Sequence, residues 1–310
     1  MPNISEVHIS AALTNLSIKY QNTGYIADII CPRVRVGKQA DKYYVYDKAH
    51  MRIDNTKLGN DKSSANQASF GLSNVAYYCE GYALKDLVTL KALANADPAI
   101  DLRVDTTELL TDKILIDRER RVAALLLSTS NITQYTTLSG TGQWSDYASG
   151  VSDPISDIKT GIKTIRDATG LKPNTIVMDS DVALTLAAHP DMIDLVKGHT
   201  NVAEATILAV LRDLFGLNPV IAGSVYNTAA EGQTDSLSPS WGKDVLIAYV
   251  APTMGLRVAT LACSFDWGSR VVKTWGNNDP EGTWIKVEEQ GIHEKIIGAA
   301  LGYLIKAAIA

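Results

Sequence analysis

The chain has 310 residues, 46% hydrophobic and 20% charged, which is the composition of a folded protein and excludes global disorder. Its net charge of −5 gives no general reason to bind nucleic acid. The three cysteines, Cys31, Cys79 and Cys263, lack the spacing of a disulfide framework or zinc site, so reduced, partly buried thiols are expected. This length exceeds one usual core, which predicts two subdomains or one core with large excursions.

The first elements along the chain predict an arm followed by a long β-hairpin. Residues 1–30 have weak patterning. The run VRVGKQADKYYVYDK, residues 34–48, places β-branched and aromatic residues at period two, and a second strand-like run lies around 70–79. The polar stretch between them has the Asn, Asp, Gly and Ser of a flexible tip. Because the first run is apolar on both faces and a hairpin is marginal alone in water, it needs a packing partner.

Charge is unevenly distributed along this region. Residues 31–62 carry eight Lys or Arg against four Asp, a local charge of +4. Because the whole chain carries −5, the residues outside this segment carry −9. A basic segment on an acidic body indicates attraction between copies at least as readily as attraction to DNA.

The next predicted element is a long helix. It begins at the cap Asp97-Pro98 or at the capping-box-like Asp105-x-x-Glu108, and continues without Gly or Pro to about Leu127. A helix of roughly 25 residues would be about 38 Å long, which suits a spine along an elongated molecule. The run Arg118–Arg121 on this helix is expected to form a solvated, salt-bridged face.

The second half of the chain predicts a compact α/β unit and then a return to strands. Short helices alternate here with buried strands. The helices are predicted from Asp153-Pro154 to Gly170, from Ser180 through Ala188, and over 203–215. The strands are predicted at 175–179 and near 219–226, 244–250 and 256–264. The runs at 270–275 and 283–305 regain strand character and are expected to pack on the spine helix, with a buried element near the C-terminus.

The sequence signals for a catalytic or binding site are weak. Gly140-Thr-Gly142 lacks the third glycine and the lysine of a phosphate-binding loop and indicates a flexible connector. His189 and His199 flank Asp191 and Asp194, but their spacing matches no ligand set, so polar surface is expected. No catalytic, cofactor-binding or metal-binding residue is therefore predicted, and no enzyme.

The adjacent glutamates Glu288 and Glu289 lie in a predicted strand. Neighbours in a strand point to opposite faces, so the two carboxylates do not form an acid–base pair around one bond. Protection of a sheet edge or an intersubunit salt bridge explains them better.

The order of these parts resembles the major capsid proteins of tailed bacteriophages. The phrases that carry the resemblance are YIADIICPRVRVGKQADKYYVYDK, TGLKPNTIVMDSDVALTLAAHPDMIDLVKG, ILAVLRDLFGLNPVIAGSVYNTA, WGKDVLIAYV and TWIKVEEQGIHEKIIGAALGYLI. The resemblance implies an α+β, HK97-like capsid fold. Its parts would be an N-terminal arm (1–30), an extended β-hairpin loop (31–80), a peripheral domain with the spine helix (81–152), an inserted α/β axial domain (153–264) and returning peripheral strands (265–310).

The same resemblance implies a function and partners. The chain would self-assemble into hexamers and pentamers of an icosahedral head, built in the host cytoplasm without a membrane. The head would enclose double-stranded DNA without sequence-specific contacts. Further partners would be a portal, a separate scaffolding protein and a decoration protein, and no cofactor is implied. The extended loop would lie across a neighbouring subunit through Arg33, Arg35, Lys38, Lys42, Tyr43, Tyr44, Tyr46 and Lys48, with Glu288 and Glu289 as possible intersubunit acids.

Two alternatives remain open from the sequence. An encapsulin-type nanocompartment shell shares the fold, and packaged enzyme rather than packaged DNA would distinguish it. A cytosolic α/β enzyme is the other alternative, and the lack of a recognisable active-site motif weakens it.

Overall fold

The computed structural model describes residues 22, 24–53, 56–57, 64–96, 101–148, 150–195, 208–255 and 258–310. Most of the predicted arm (1–21 and 23), much of the predicted hairpin tip, the cap Asp97-Pro98 and His199 lie outside the described residues. So do the first residues of the helix predicted over 203–215 and of the strand predicted near 256–264.

Strands and helices alternate along the described chain, and their bounds are as follows. The strands are β1 Arg33–Arg35, β2 Ala40–Tyr46, β3 Leu72–Tyr78, β4 Glu80–Thr89, β5 Tyr135–Thr137, β6 Thr175–Asp179, β7 Asn218–Ala222, β8 Val225–Asn227, β9 Leu237–Pro239, β10 Val245–Ala248, β11 Ala262–Asn278, β12 Glu281–Ile296 and β13 Gly302–Lys306. The helices are α1 Ala27–Ile30, α2 Leu90–Asn95, α3 Leu102–Leu126, α4 Pro154–Thr169, α5 Ser180–Ala187 and α6 Pro190–Leu195, with a π-helical turn at Leu211–Phe215.

The predicted hairpin is confirmed, but it is shorter than the sequence indicated. β2 and β3 pair antiparallel, with Ala40 opposite Tyr78 and Tyr46 opposite Leu72. The single strand predicted from residue 34 is wrong, because β1 pairs in parallel with β11 instead. A hydrogen bond of 3.0 Å from the Val36 N–H to the Asp266 carbonyl holds that first part on the large sheet.

A four-stranded sheet of order β1-β11-β12-β4 forms one half of the molecule. β11 and β12 pair antiparallel over almost their whole length, so the separate strands predicted near 256–264 and at 270–275 are one strand that starts at Ala262. The spine helix α3 packs on one face of the sheet, as predicted. This core contains Val88, Leu110, Ile114, Ile285 and Val287.

The spine helix α3 has the predicted length of 25 residues. Its N-cap differs from both sequence candidates: the Asp101 carboxylate accepts hydrogen bonds from the N–H groups of Arg103 and Val104 at 3.0 and 3.3 Å. Asp105 lies in the first turn, where its negative charge interacts favourably with the positive end of the helix dipole.

The α/β unit is built on a five-stranded sheet of order β5-β13-β10-β6-β7. The predicted caps of α4 are confirmed, since the Asp153 side chain accepts from the Ser156 N–H and Gly170 takes the left-handed conformation with φ 74°. β13 lies in this sheet beside β10, although the sequence placed all of 265–310 in the peripheral domain. The apolar residues of β13 explain its place, because Leu304 and Ile305 are fully buried in the two cores on opposite faces of this sheet.

Two further expectations concern buried polar groups. The three cysteines are free, as expected, and they are fully rather than partly buried. Burial raises the pKa of Cys31 to about 11 and that of Cys263 to about 12, so both thiols are protonated at neutral pH. The prediction that His189 lies on the surface is wrong: it is 3% exposed, and its Nε2 lies 3.2 Å from the Ser152 hydroxyl.

Within the described residues, no helix has the length and apolar character needed to cross a bilayer.

Candidate assembly interface

The hairpin presents one aromatic face to solvent. Residues directly opposite each other in an antiparallel pair share a face, so the even-numbered residues of β2 and β3 lie together. The exposed members are Tyr44 at 69%, Tyr46 at 44%, Leu72 at 50% and Tyr78 at 54%, and Phe70, 69% exposed, lies beside Tyr46. These five residues are called the aromatic face below. Contiguous apolar surface of this kind marks an interaction site.

The opposite face of the hairpin is anchored on its own subunit. Tyr77 stacks on Phe265 with ring centroids 4.4 Å apart, and Tyr43 lies 5.5 Å from the same ring. The Lys295 ammonium donates a 2.6 Å hydrogen bond to the Ala76 carbonyl of β3. The base of the hairpin therefore has a fixed orientation, with the aromatic face turned away from the subunit. Tyr43, predicted to be intersubunit, contacts its own chain.

The three lysines of the predicted interface differ in their surroundings. Lys42 is exposed and lies in line with Tyr44 on the aromatic face. Lys38 has a 75% exposed side chain, 3.6 Å from the Asp41 carboxylate. Lys48 instead donates to the carbonyl of Ala168 in the last turn of α4. A cation is favourable at this negative end of a helix, so Lys48 joins the hairpin to the α/β unit of its own chain.

The two predicted interface arginines lie on β1 and not in the hairpin. Arg35 is exposed. Arg33 faces its own subunit: its guanidinium lies 2.9 Å from the Asp28 carboxylate and 3.0 Å from that of Glu289. The sequence pattern did not separate these two roles, because Glu289, the buried partner of Arg33, is distant in the chain.

Glu288 and Glu289 point to opposite faces of β12, as predicted, but the proposed protection of a sheet edge is wrong. β12 is an inner strand between β11 and β4. Glu289 is 1% exposed and accepts hydrogen bonds of 3.0 Å from Arg33 and Arg270. Glu288 lies on the outer face, 3.0 Å from the ammonium groups of Lys273 and Lys286. Both carboxylates therefore have partners in their own chain.

The charged run on the spine helix is partly buried, and the solvated face predicted for it is wrong at two positions. Arg118 and Glu119 are each 1% exposed. Their spacing carried a signal that sequence reasoning missed, because Arg118 lies four residues from the buried Ile114 and four from the buried Val122. The expected surface ion pair does form beside them, between Asp117 and Arg121.

Glu119 joins three parts of the subunit through one carboxylate. Its two oxygens accept hydrogen bonds of 3.0 Å from the N–H groups of Ile26 and Ala27, where the arm enters α1. One of these oxygens also accepts a 2.6 Å hydrogen bond from the Trp241 indole, which comes from the α/β unit. A buried carboxylate needs such donors to offset its desolvation, and here they tie the arm and the α/β unit to the spine helix.

Beside Glu119, Arg118 forms an ion pair with Asp28. Its guanidinium lies 2.6 Å from the Asp28 carboxylate, which also contacts Arg33. Burial raises the pKa of Asp28, but the charges of Arg118 and Arg33 outweigh burial and hold that pKa below its ordinary value. This pairing therefore stabilises the fold above the ordinary carboxyl pKa and is lost as the pH falls through the lowered value.

The structure thus brings Lys42, Tyr44 and Tyr46 together on one exposed face, and engages Arg33, Tyr43 and Glu289 in contacts within their own subunit. In the part of the chain that the structure describes, no group of three or more His, Cys, Asp or Glu side chains is arranged to hold a metal ion. The accessible feature with the clearest chemical character is an apolar, basic surface suited to protein contact.

The curated proteins to which this chain is similar are phage proteins. In a 312-residue alignment the chain is 30% identical to the major capsid protein of Pseudomonas phage JBD67, with 97% of each covered. It is 26% identical over 254 residues to that of Burkholderia phage BcepMu, covering 81% of this chain and 79% of the relative. The capsid structure of Cyanophage P-SCSP1u aligns with a TM-score of 0.65 at 10% identity, over 100% of this chain and 96% of that chain. No protein-family model matches the sequence.

Proposed function

The chain belongs to the major capsid proteins of bacteriophages, and on that premise we propose that its copies join into the hexamers and pentamers of an icosahedral head that encloses double-stranded DNA. The α+β, HK97-like fold implied by the sequence resemblance is confirmed. The role of the chain is structural, as a capsid shell protein of the virion. Because both curated relatives are phage capsid proteins, a phage head is favoured over a nanocompartment shell or an enzyme.

The aromatic face is the observation that carries this proposal. When another copy covers the large aromatic side chains exposed on the hairpin, burial of their apolar surface stabilises the assembly. The hairpin base is fixed on its own sheet by the Tyr77–Phe265 stack, so the free side is oriented outwards before any partner arrives. Pre-orientation lowers the entropy lost on association.

The contact between copies is heterologous, with the hairpin of one copy on a different surface of the next. Such contacts close into rings when the rotation between subunits is suitable, as hexamers and pentamers require. Residues 31–62, which include β1 as well as β2, carry +4 and the rest of the chain −9, so this segment of one copy is attracted to the body of another.

Reversing the charge of the hairpin is expected to weaken assembly. We expect the double variant Lys38→Glu and Lys42→Glu to fold but to assemble poorly, because both side chains are exposed on the hairpin. Each exposed pair contributes only about 0–1 kcal/mol, but the contact recurs in every subunit. Electron microscopy measures the assembly, and circular dichroism checks the fold. Lys48 is left unchanged because it binds Ala168.

A matched control applies the same change in charge elsewhere. The variant Lys91→Glu and Lys159→Glu alters two exposed lysines outside the hairpin and should assemble more nearly as the unchanged protein does. Raised salt should weaken assembly of the unchanged protein, since the Debye length falls from about 10 Å at 0.1 M to about 3 Å at 1 M. If the hairpin variant forms intact empty particles that fail only at DNA packaging, its lysines contact DNA and not a neighbouring copy.

A role in a phage head implies partners other than further copies of this chain. We propose a portal, a separate scaffolding protein and possible attachment of a decoration protein, with assembly in the host cytoplasm. The net charge of −5 gives no general attraction to DNA, so contacts with the enclosed DNA would be confined to local basic surface.

A further inference from the structure

The outer end of the hairpin continues into a short helical turn that touches the α/β unit. This turn is Ala49–Met51, in which the Met51 N–H donates to the Lys48 carbonyl at 3.0 Å. The Lys48 ammonium donates to the Ala168 carbonyl in α4. The Met51 side chain lies beside Gly170, since a Cβ atom at Gly170 would be 3.6 Å from the Met51 Cε. The hairpin therefore contacts the large sheet at its base and the α/β unit at its outer end.

Asp47 fixes the direction in which the turn leaves the hairpin. Its N–H donates to the Gly71 carbonyl at 3.2 Å. Its carboxylate accepts hydrogen bonds from the N–H groups of Gly71 at 2.8 Å and of Ala49 at 3.1 Å. One side chain thus joins the end of the hairpin to the start of the turn. Lys48 lies between Asp47 and Ala49 in the chain, so the same bonds set its backbone position.

The end of α4 offers Lys48 a favourable acceptor. The carbonyls in the last turn of a helix have no partner within the helix, and α4 ends at Thr169. Ala168 lies in that last turn, so the Lys48 ammonium binds one of these carbonyls and lies at the negative end of the helix dipole. Gly170, which ends the helix in the left-handed conformation, has no side chain to exclude Met51.

This second contact holds the outer half of the aromatic face. Tyr46 and Leu72 form the last pair of the β2–β3 ladder, next to the turn, and Phe70 lies beside Tyr46. A two-stranded sheet has little stability of its own and twists more strongly than a larger sheet. If it were held only at its base, its outer end would open and swing. With both ends held, these three side chains keep one direction relative to the subunit.

We propose that Lys48 is a positioning residue for assembly. It holds the outer end of the hairpin on its own α/β unit, so that the aromatic face meets a neighbouring copy in one orientation. An element that is ordered before association loses less entropy when the partner covers it. Because the Lys48 ammonium is bound within the subunit, its role differs from the charge attraction assigned to Lys38 and Lys42. The inference rests on the proposed shell function, since it names a residue that prepares the contact between copies.

Hydrogen exchange in the unassembled subunit tests the contact with α4 without reference to a shell. We expect Lys48→Met to raise the exchange rates of the Asp47 and Gly71 amides by about threefold or more, because the outer end of the hairpin opens more often. The Cys79 amide, which is hydrogen-bonded at the base of the hairpin, should exchange at an unchanged rate. As a matched control, Lys38→Met removes the same charge from the hairpin and should leave all three rates unchanged.

Light scattering of the same variants tests the role in assembly. We expect Lys48→Met to raise the protein concentration needed for assembly by about threefold or more, with a fold unchanged by circular dichroism. Lys48→Arg keeps a cationic donor and should match the unchanged protein in both measurements.

Three outcomes would overturn the proposal in different ways. Unchanged exchange and assembly in Lys48→Met, or faster exchange with unchanged assembly, would show that Lys48 does not position the hairpin for assembly. Weaker assembly without faster exchange would assign Lys48 to a direct contact with another copy. If the unchanged protein forms no particles, the shell function on which the inference rests fails, whatever the exchange rates show.

Discussion

Replacing Tyr44 and Leu72 with aspartate is expected to abolish shell formation and to leave the subunit folded. Both side chains lie on the aromatic face and are at least half exposed in the subunit, so the fold loses little. A large apolar side chain contributes about 1.5–3 kcal/mol when it becomes buried, and an unpaired carboxylate in the same place is unfavourable. Two such changes recur at every hairpin of a shell. Light scattering and electron microscopy measure assembly, and circular dichroism reports the fold.

A conservative variant controls for the substitutions themselves. Tyr44→Phe with Leu72→Met keeps the apolar area and adds no charge, so we expect it to assemble as the unchanged protein does. Removal of only the hydroxyl also tests whether the contact of Tyr44 is apolar or depends on a hydrogen bond. Normal particles from the aspartate variant would show that the aromatic face is not an assembly contact.

Replacing Glu119 with alanine is expected to destabilise the subunit strongly. The change leaves the N–H groups of Ile26 and Ala27 and the indole of Trp241 without their acceptor in the core. A buried donor without a partner costs about 1–3 kcal/mol, so we expect a loss of at least about 3 kcal/mol in the free energy of unfolding. Denaturant unfolding of the unassembled subunit measures it.

Two variants make this result specific. Glu108→Ala removes an exposed glutamate from the same helix and should change stability by less than about 0.5 kcal/mol. Glu119→Gln keeps one acceptor oxygen and should fall between the other two. If Glu119→Ala unfolds at the same denaturant concentration as Glu108→Ala, the carboxylate does not hold the arm and the α/β unit to the spine helix.

Local signals in the sequence predicted the elements whose causes are local. The Asp153 cap and the Gly170 terminus of α4 need only neighbouring residues, and so does the alternating pattern of β2. The length of α3 follows from a stretch without Gly or Pro. These features were predicted correctly because helix caps and strand periodicity depend on the backbone within a few residues.

Features that depend on distant residues were predicted less well. Arg33 is indistinguishable from the hairpin cations in sequence, and only the fold brings it to Glu289, 256 residues away. The burial of Arg118 likewise depends on Asp28, which is far from it in the sequence and is brought to α3 only by the fold. A charged residue on a helix suggests a solvated face unless its partners are known. The sequence therefore did not reveal that Arg118 lies on the buried apolar stripe of α3.

The size and shape of the purified protein test the shell assignment most directly. We expect electron microscopy, combined with light scattering on the same sample, to show closed hollow particles or rings of five and six subunits with masses far above that of one 33.4 kDa chain. The measurement covers a range of protein concentration, of salt and of scaffolding protein. A monomer or dimer under every condition would contradict a protein whose hairpin is built to be covered by another copy.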